Sequence, residues 1–182
     1  MHTIYPIKFI QKDSCRDNTD HLYSIIYTFF SNETKLKYVL RAEYFTTDTF
    51  AIKFYAKRHK RLSDRYRRLV NLGDVRNILL TAGQLVPLLL KENPTASFAI
   101  AATSSFDPVV YALEPRSENQ RYRVYSTLIE RFFGTETFKH FTYKEISCYL
   151  LINKGNEDLF IKLNEIEDSF KNTYNDLLNI ED

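Results

Sequence analysis

The sequence predicts an α+β fold: one domain on an antiparallel sheet, with helices packed on one face and an acidic helix at the C-terminus. Three observations predict it. Two neighbouring segments, 36–44 and 50–56, alternate apolar and polar residues with the period of a strand. Ser97–Thr103 carries no charge and small side chains, as a strand covered on both faces does. Two longer stretches, 74–92 and 117–133, repeat their apolar residues at 3.6-residue spacing.

In chain order, Thr3–Ile10 is a short candidate strand whose Pro6 suits an edge, and Gln11–Asp20 reads as a polar loop. His21–Phe30 is β-branched and aromatic enough for a strand, and Ser31-Asn32-Glu33-Thr34 suits a turn. In the next strand Leu36, Tyr38, Leu40, Ala42 and Tyr44 share one face, and Lys37, Val39, Arg41 and Glu43 the other. After the turn at Thr46-Thr47-Asp48, Phe50, Ile52, Phe54 and Ala56 alternate with Ala51, Lys53, Tyr55 and Lys57. The expected product is an antiparallel meander with one wet face.

Lys57–Arg68 is the most charged run, with seven Lys/Arg against Asp64, and reads as an exposed loop. Asp74 is placed to cap a helix that Pro87 must kink or divide, because proline removes one backbone bond and crowds the carbonyl at Gly83. Asn93-Pro94 stops it. After Ser97–Thr103, Val109–Leu113 is a second short strand. Ser117-Glu118-Asn119-Gln120 has capping-box spacing, so a helix should start at Ser117 and end at Gly134. Thr135–Glu145 reads as a loop, Ile146–Ile152 as a buried strand, and Asn156 as the cap of a last helix with a narrow stripe of Leu159, Leu163, Ile166, Phe170 and Leu177. Residues 1–182 suit a single domain, with 156–182 either closing it or forming an appended interaction helix.

The chain is long enough for a sizeable core without staples. Cys15 and Cys148 lie far apart and no leader-like segment opens the chain, so a cytoplasmic location is expected. No uncharged run approaches the ~20 residues a membrane span needs. The net charge of +2 hides an asymmetry: 156–182 holds eight acids against Lys162 and Lys171, leaving the rest strongly basic.

Two groups of cations are candidate binding residues. Lys37, Arg41, Lys53 and Lys57 would share the wet sheet face with Tyr55, beside Arg58, Arg61, Arg65 and Arg68 of the basic run. Cations that track phosphates beside a ring that stacks on bases would suit single-stranded nucleic acid. A solvated sheet face guarded by lysine has the same composition. At the predicted helix start Arg116, Arg121 and Arg123 could bind an anion, helped by the helix dipole. Arg121 falls inside the apolar arc of the helix, so it either meets an acid or carbonyls, or opens onto a ligand.

Catalysis has less support. His2, His21, His59 and His140 show no metal-ligand spacing, Cys148 sits in a buried-looking strand, and no phosphate-loop, nucleophile-elbow or zinc-protease pattern occurs. Glu43, Asp48 and Lys53 could form a nuclease-type carboxylate pair with a lysine, a triple that most strand hairpins can supply. No cofactor and no metal are expected.

The order strand, helix, apolar strand, loop and helix, with Arg121-Tyr122-Arg123-Val124-Tyr125 following Ser97–Thr103, resembles uncharacterised small bacterial proteins of unknown function. The resemblance spans Tyr44–Ile152 and implies no activity. Two functions are therefore expected from the residues: a non-enzymatic nucleic-acid-binding or accessory module, or a protein-interaction subunit, such as a toxin–antitoxin or phage-defence component, docking through its C-terminal helix. The second function would allow a homo-oligomer.

Overall fold

A computed structural model of the chain describes residues 3–68, 73–107 and 112–174. Its centre is a seven-stranded, mostly antiparallel sheet in the order β1-β2-β3-β4-β5-β9-β8. The strands are β1 (Lys8–Ser14), β2 (His21–Ser31), β3 (Leu36–Phe45), β4 (Thr49–Ala56), β5 (Ser97–Ala101), β8 (Phe138–Tyr143) and β9 (Cys148–Asn153). A separate two-stranded ribbon joins β6 (Phe106–Asp107) to β7 (Ala112–Leu113). The strand expected at Val109–Leu113 lies only partly within the described residues.

The meander forms in the register its alternation requires: Leu40 faces Phe54 and Ala42 faces Ile52 across β3 and β4. On that face the aromatic residues pack in files, Tyr5 stacked on Phe29 and Phe29 on Tyr38, and Tyr23 stacked on Tyr44, which meets Phe50 at a tilt, with Phe50 stacked on Phe98. Rigid rings suit such cross-strand files because they bury large area for little side-chain entropy. Helices α1 (Val75–Gly83), α2 (Leu85–Leu90) and α3 (Gln120–Phe133) add Ile78, Leu85, Leu89, Tyr122, Tyr125 and Ile129 to the same core.

The other face is not wet. Phe45, Ala51, Ala99, Leu150 and Ile152 form a second core with Ile166 and Phe170 of α4 (Leu159–Thr173). Only part of that face has an apolar pattern in the sequence, because Arg41, Glu43 and Lys53 interrupt it. Arg41 and Lys53 both pair with Glu43, which lets a helix close over the rest. Leu177, the last residue of the expected stripe, lies outside the described residues.

Four local expectations are corrected. Tyr5 leaves the first strand: its amide donates to Thr81 Oγ1 (3.0 Å) and its hydroxyl to Asp74 Oδ2 (2.8 Å), so pairing begins at Lys8 and runs to Ser14 with a bulge between Phe9 and Gln11. Part of the expected loop at Gln11–Asp20 is therefore strand, since an edge strand needs no apolar alternation. One pair, β4 with β5, is parallel, because the 57–96 connection crosses over and brings the chain back in the same direction. The segment from Thr135 holds β8, a polar edge strand bonded to β9.

Helix starts differ in their chemistry. Asn119, 2 % exposed, caps α3 by accepting from the Tyr122 amide (2.8 Å), while Ser117 is exposed outside the helix. Asn119 also donates to the Ala102 carbonyl (2.5 Å), so a contact distant in sequence chooses the cap. Asp158, not Asn156, caps α4 through the amides of Phe160 and Ile161. Asp74 precedes α1 as expected, but its buried carboxylate accepts from Ser31 (2.5 Å), Tyr5 and Asn77 rather than from helix amides. Pro87 sits in α2, and the helix divides one turn earlier at Gln84. Gly134 ends α3 at φ +52°, a conformation that favours glycine.

Candidate functional site: a basic, tyrosine-walled cleft

Ala51 and Ala99 lie opposite one another on the parallel β4–β5 pair, and Ala101 follows where β5 ends. Their small side chains leave a hollow beside the end of β5, and a cleft of about 710 Å³ opens there. Lys53, Arg67, Arg116 and Arg121, with the acid Glu114, contribute the charge, and Tyr66 and Tyr174 contribute rings. A space of that size can hold a drug-sized or nucleotide-sized group. Ala-rich β5 carries the signal for this hollow in the sequence, but small uncharged residues in a strand also read as close packing.

One wall is a buried ionic cluster. Glu43, 6 % exposed, takes Lys53 Nζ at 2.7 Å on Oε2 and Arg41 Nε at 2.9 Å on Oε1, and Tyr174 donates its hydroxyl to Oε2. Burial pushes the Glu43 carboxyl up, but Lys53, Tyr174 and Arg41 outweigh it and hold the group below its ordinary range. Burial lowers Lys53, against the pull of Glu43. Burial and the Glu43 charge raise the Tyr174 phenol, so it stays a donor. Asp48 takes no part in this cluster: it accepts from Tyr44 and Thr95 at the β3–β4 turn, so the three residues of a nuclease-type triple are not assembled.

The other wall is the end of the basic run. Arg121 donates to the carbonyls of Tyr66, Arg67 and Arg68, the last at 2.9 Å, and to Thr103 Oγ1 at 3.1 Å. Its guanidinium fork is thus satisfied by carbonyls, which answers why a cation sits in the apolar arc of α3. Arg65 lies over the rings of Tyr55 (5.4 Å) and Tyr66 (5.0 Å), and Arg68 pairs with Asp64 at 2.9 Å.

The expected cation groups therefore divide. Arg41, Lys53, Tyr55 and Arg65 come together but are largely engaged with Glu43 and the tyrosines. Tyr55 meets Tyr66 edge-on at 5.2 Å, so it is not a free platform for a base. Arg65 and Arg68, expected to be exposed, are half-buried. Lys37, Lys57, Arg58 and Arg61 are exposed, with Lys57 in a short 3₁₀ turn rather than on the sheet face.

Two amides of the helix start, those of Gln120 and Tyr122, already have side-chain acceptors. Glu114 accepts from the Gln120 amide (2.5 Å) and from the Ser105 amide (3.2 Å), occupying the place where an external anion would bind. Arg123 turns back to the Glu118 carbonyl at 3.0 Å, and Arg116 lines the cleft. Sequence reasoning missed Tyr66, Arg67, Glu114 and Tyr174, because each reaches the site through a loop or a helix end with no periodic pattern.

Burial pushes the Cys148 thiol up to about 12, which makes it a poor nucleophile at the cleft floor. Compared with protein-family models, with curated proteins and with solved structures, the chain matches none. Among the described residues no helix is long and apolar enough to cross a membrane.

Proposed function

We propose that the protein is a non-enzymatic module that binds single-stranded nucleic acid through the cleft beside β5 and the exposed cations of Lys57–Arg61. The single observation that carries this reading is the cleft's lining: four cations against the one acid Glu114, the rings of Tyr66 and Tyr174, and a volume that admits a nucleotide. Lys57, Arg58, Lys60 and Arg61 are exposed cations earlier in the basic run whose end lines the cleft. Backbone phosphates track such a surface, and bases stack on rings without regard to sequence. The ionic cluster around Glu43 has a positioning role in this reading, since it fixes Lys53 and Tyr174 at the wall. The test is fluorescence anisotropy with labelled single-stranded DNA and RNA at about 50 mM salt, where binding should be strongest. A folded protein that shows no binding to either ends the reading.

A second reading is favoured by one observation. Phe160 and Ile161, at the start of α4, are 62 % and 58 % exposed, next to the acids Glu157 and Asp158. This apolar pair on an acidic helix would suit a protein partner with a basic rim.

A further inference from the structure

Away from the cleft, the β1–β2 connection brings together three side chains of different chemistry. Cys15 Sγ, a carboxylate oxygen of Asp17 and a ring nitrogen of His21 lie within 4.8 Å of one another. Ligand atoms around a tetrahedral ion with bonds of about 2.0–2.3 Å are about 3.3–3.7 Å apart, so side-chain rotations of about 1 Å would close the set.

The loop is held in shape by its own bonds and by the strands beside it. The Cys15 amide donates to the Leu22 carbonyl at 2.8 Å, and Asn18 takes the left-handed conformation at φ 60°. Asp17 Oδ1 accepts from Thr19 Oγ1 at 2.6 Å and from its amide at 3.1 Å. The Thr46 amide donates to the Asp20 carbonyl at 2.9 Å, tying the loop to the β3–β4 turn.

His21 is oriented in the manner of a metal ligand. Its ring is 8 % exposed, stacks on Phe45 at 5.4 Å, and places Nε2 3.0 Å from the Tyr23 carbonyl and 2.9 Å from Ser24 Oγ. A carbonyl only accepts, so Nε2 carries the proton and the lone pair is on Nδ1. Backbone or hydroxyl partners on the far nitrogen commonly set the tautomer and angle of ligating histidines.

We propose that Cys15, Asp17 and His21 Nδ1 form a binding site for a zinc-class divalent ion, with its fourth position open to water. Thiolate, imidazole and carboxylate together suit a borderline-soft ion and exclude magnesium or calcium, which take oxygen ligands. On binding, the Cys15 S–H bond breaks, the sulphur–metal bond forms and the proton passes to solvent. The ion joins the two ends of the β1–β2 connection.

The experiment uses the full chain, stripped of metal under reducing conditions, with cobalt(II) followed by absorbance and zinc(II) by calorimetry. One ion per chain and a near-ultraviolet thiolate-to-cobalt band are expected. Cys15→Ala should lose the band and Cys148→Ala should keep it. Asp17→Asn, at an exposed position, and Ser24→Ala, behind His21, should each weaken zinc binding about tenfold or more. Circular dichroism checks that each variant is folded, and Asp17→Asn decides the matter if Cys15→Ala is not. The proposal is overturned if wild-type protein shows no saturable binding, if Cys15→Ala binds with an unchanged spectrum and affinity, or if Asp17→Asn equals wild type.

Discussion

Tyr174 donates its hydroxyl to Glu43, 131 positions earlier in the chain, and so fastens the end of the C-terminal helix to the middle of the sheet. Glu43 holds Lys53 and Arg41 at the same time. One carboxylate thus joins β3, β4 and the end of α4, beside the apolar core that Ile166 and Phe170 form with the sheet.

Replacing Glu43 by Gln should cost about 2 kcal/mol at neutral pH. A fully buried pair would lose more, but Lys53 and Arg41 still reach solvent. The Glu43 carboxyl is held below its ordinary value of 4.5 in the fold. Its stabilisation is therefore complete above that value and is lost as pH falls through the lowered folded value. Denaturant titrations across the acid range should show wild type losing stability there, and Glu43→Gln losing less.

Asn119→Ala should destabilise by about 2 kcal/mol, because it removes the α3 cap and leaves the Ala102 carbonyl unsatisfied. Ser117→Ala should stay within about 0.5 kcal/mol of wild type, since that side chain is exposed outside the helix. Thermal melts of the two variants compare them directly, and equal losses would place the cap at Ser117 after all.

Ile166, 0 % exposed, anchors α4 in the second core, so Ile166→Ala should cost about 2–5 kcal/mol. Ile161→Ala on the outer side of the same helix should be nearly neutral for stability. Chemical denaturation of both variants checks the direction in which the helix faces.

Arg121→Lys should not rescue Arg121→Ala, because an ammonium cannot span the carbonyls of Tyr66, Arg67 and Arg68 as the planar fork does. Both variants should release the end of the basic run. Limited trypsin digestion should then cut within 57–68 several-fold faster than in wild type.

Changing Lys57, Arg58, Lys60 and Arg61 together to Ala should leave the melting temperature unchanged, since all four are exposed. If they neutralise phosphates, the slope of log affinity against log salt should fall by about 0.7 for each phosphate that is no longer neutralised. An unchanged slope would confine any nucleic-acid binding to the cleft.

The α+β class, the β2–β3–β4 meander and its core face follow from local pattern alone. A strand's period of two assigns Leu40 and Arg41 to opposite sides whatever else the chain does, and Gly134 marks where α3 stops. What the opposite face meets does not follow from that pattern. Arg41, Glu43 and Lys53 alternate as a solvated face would, and only the arrival of α4 from 131 positions away turns them into a buried cluster. The same holds for the α3 cap, where Ser117 has the right spacing but Asn119 has the Ala102 carbonyl, and for Arg121, whose carbonyl partners come from a loop without periodicity. Periodicity records which way a side chain points, whereas its partner depends on how the chain closes on itself.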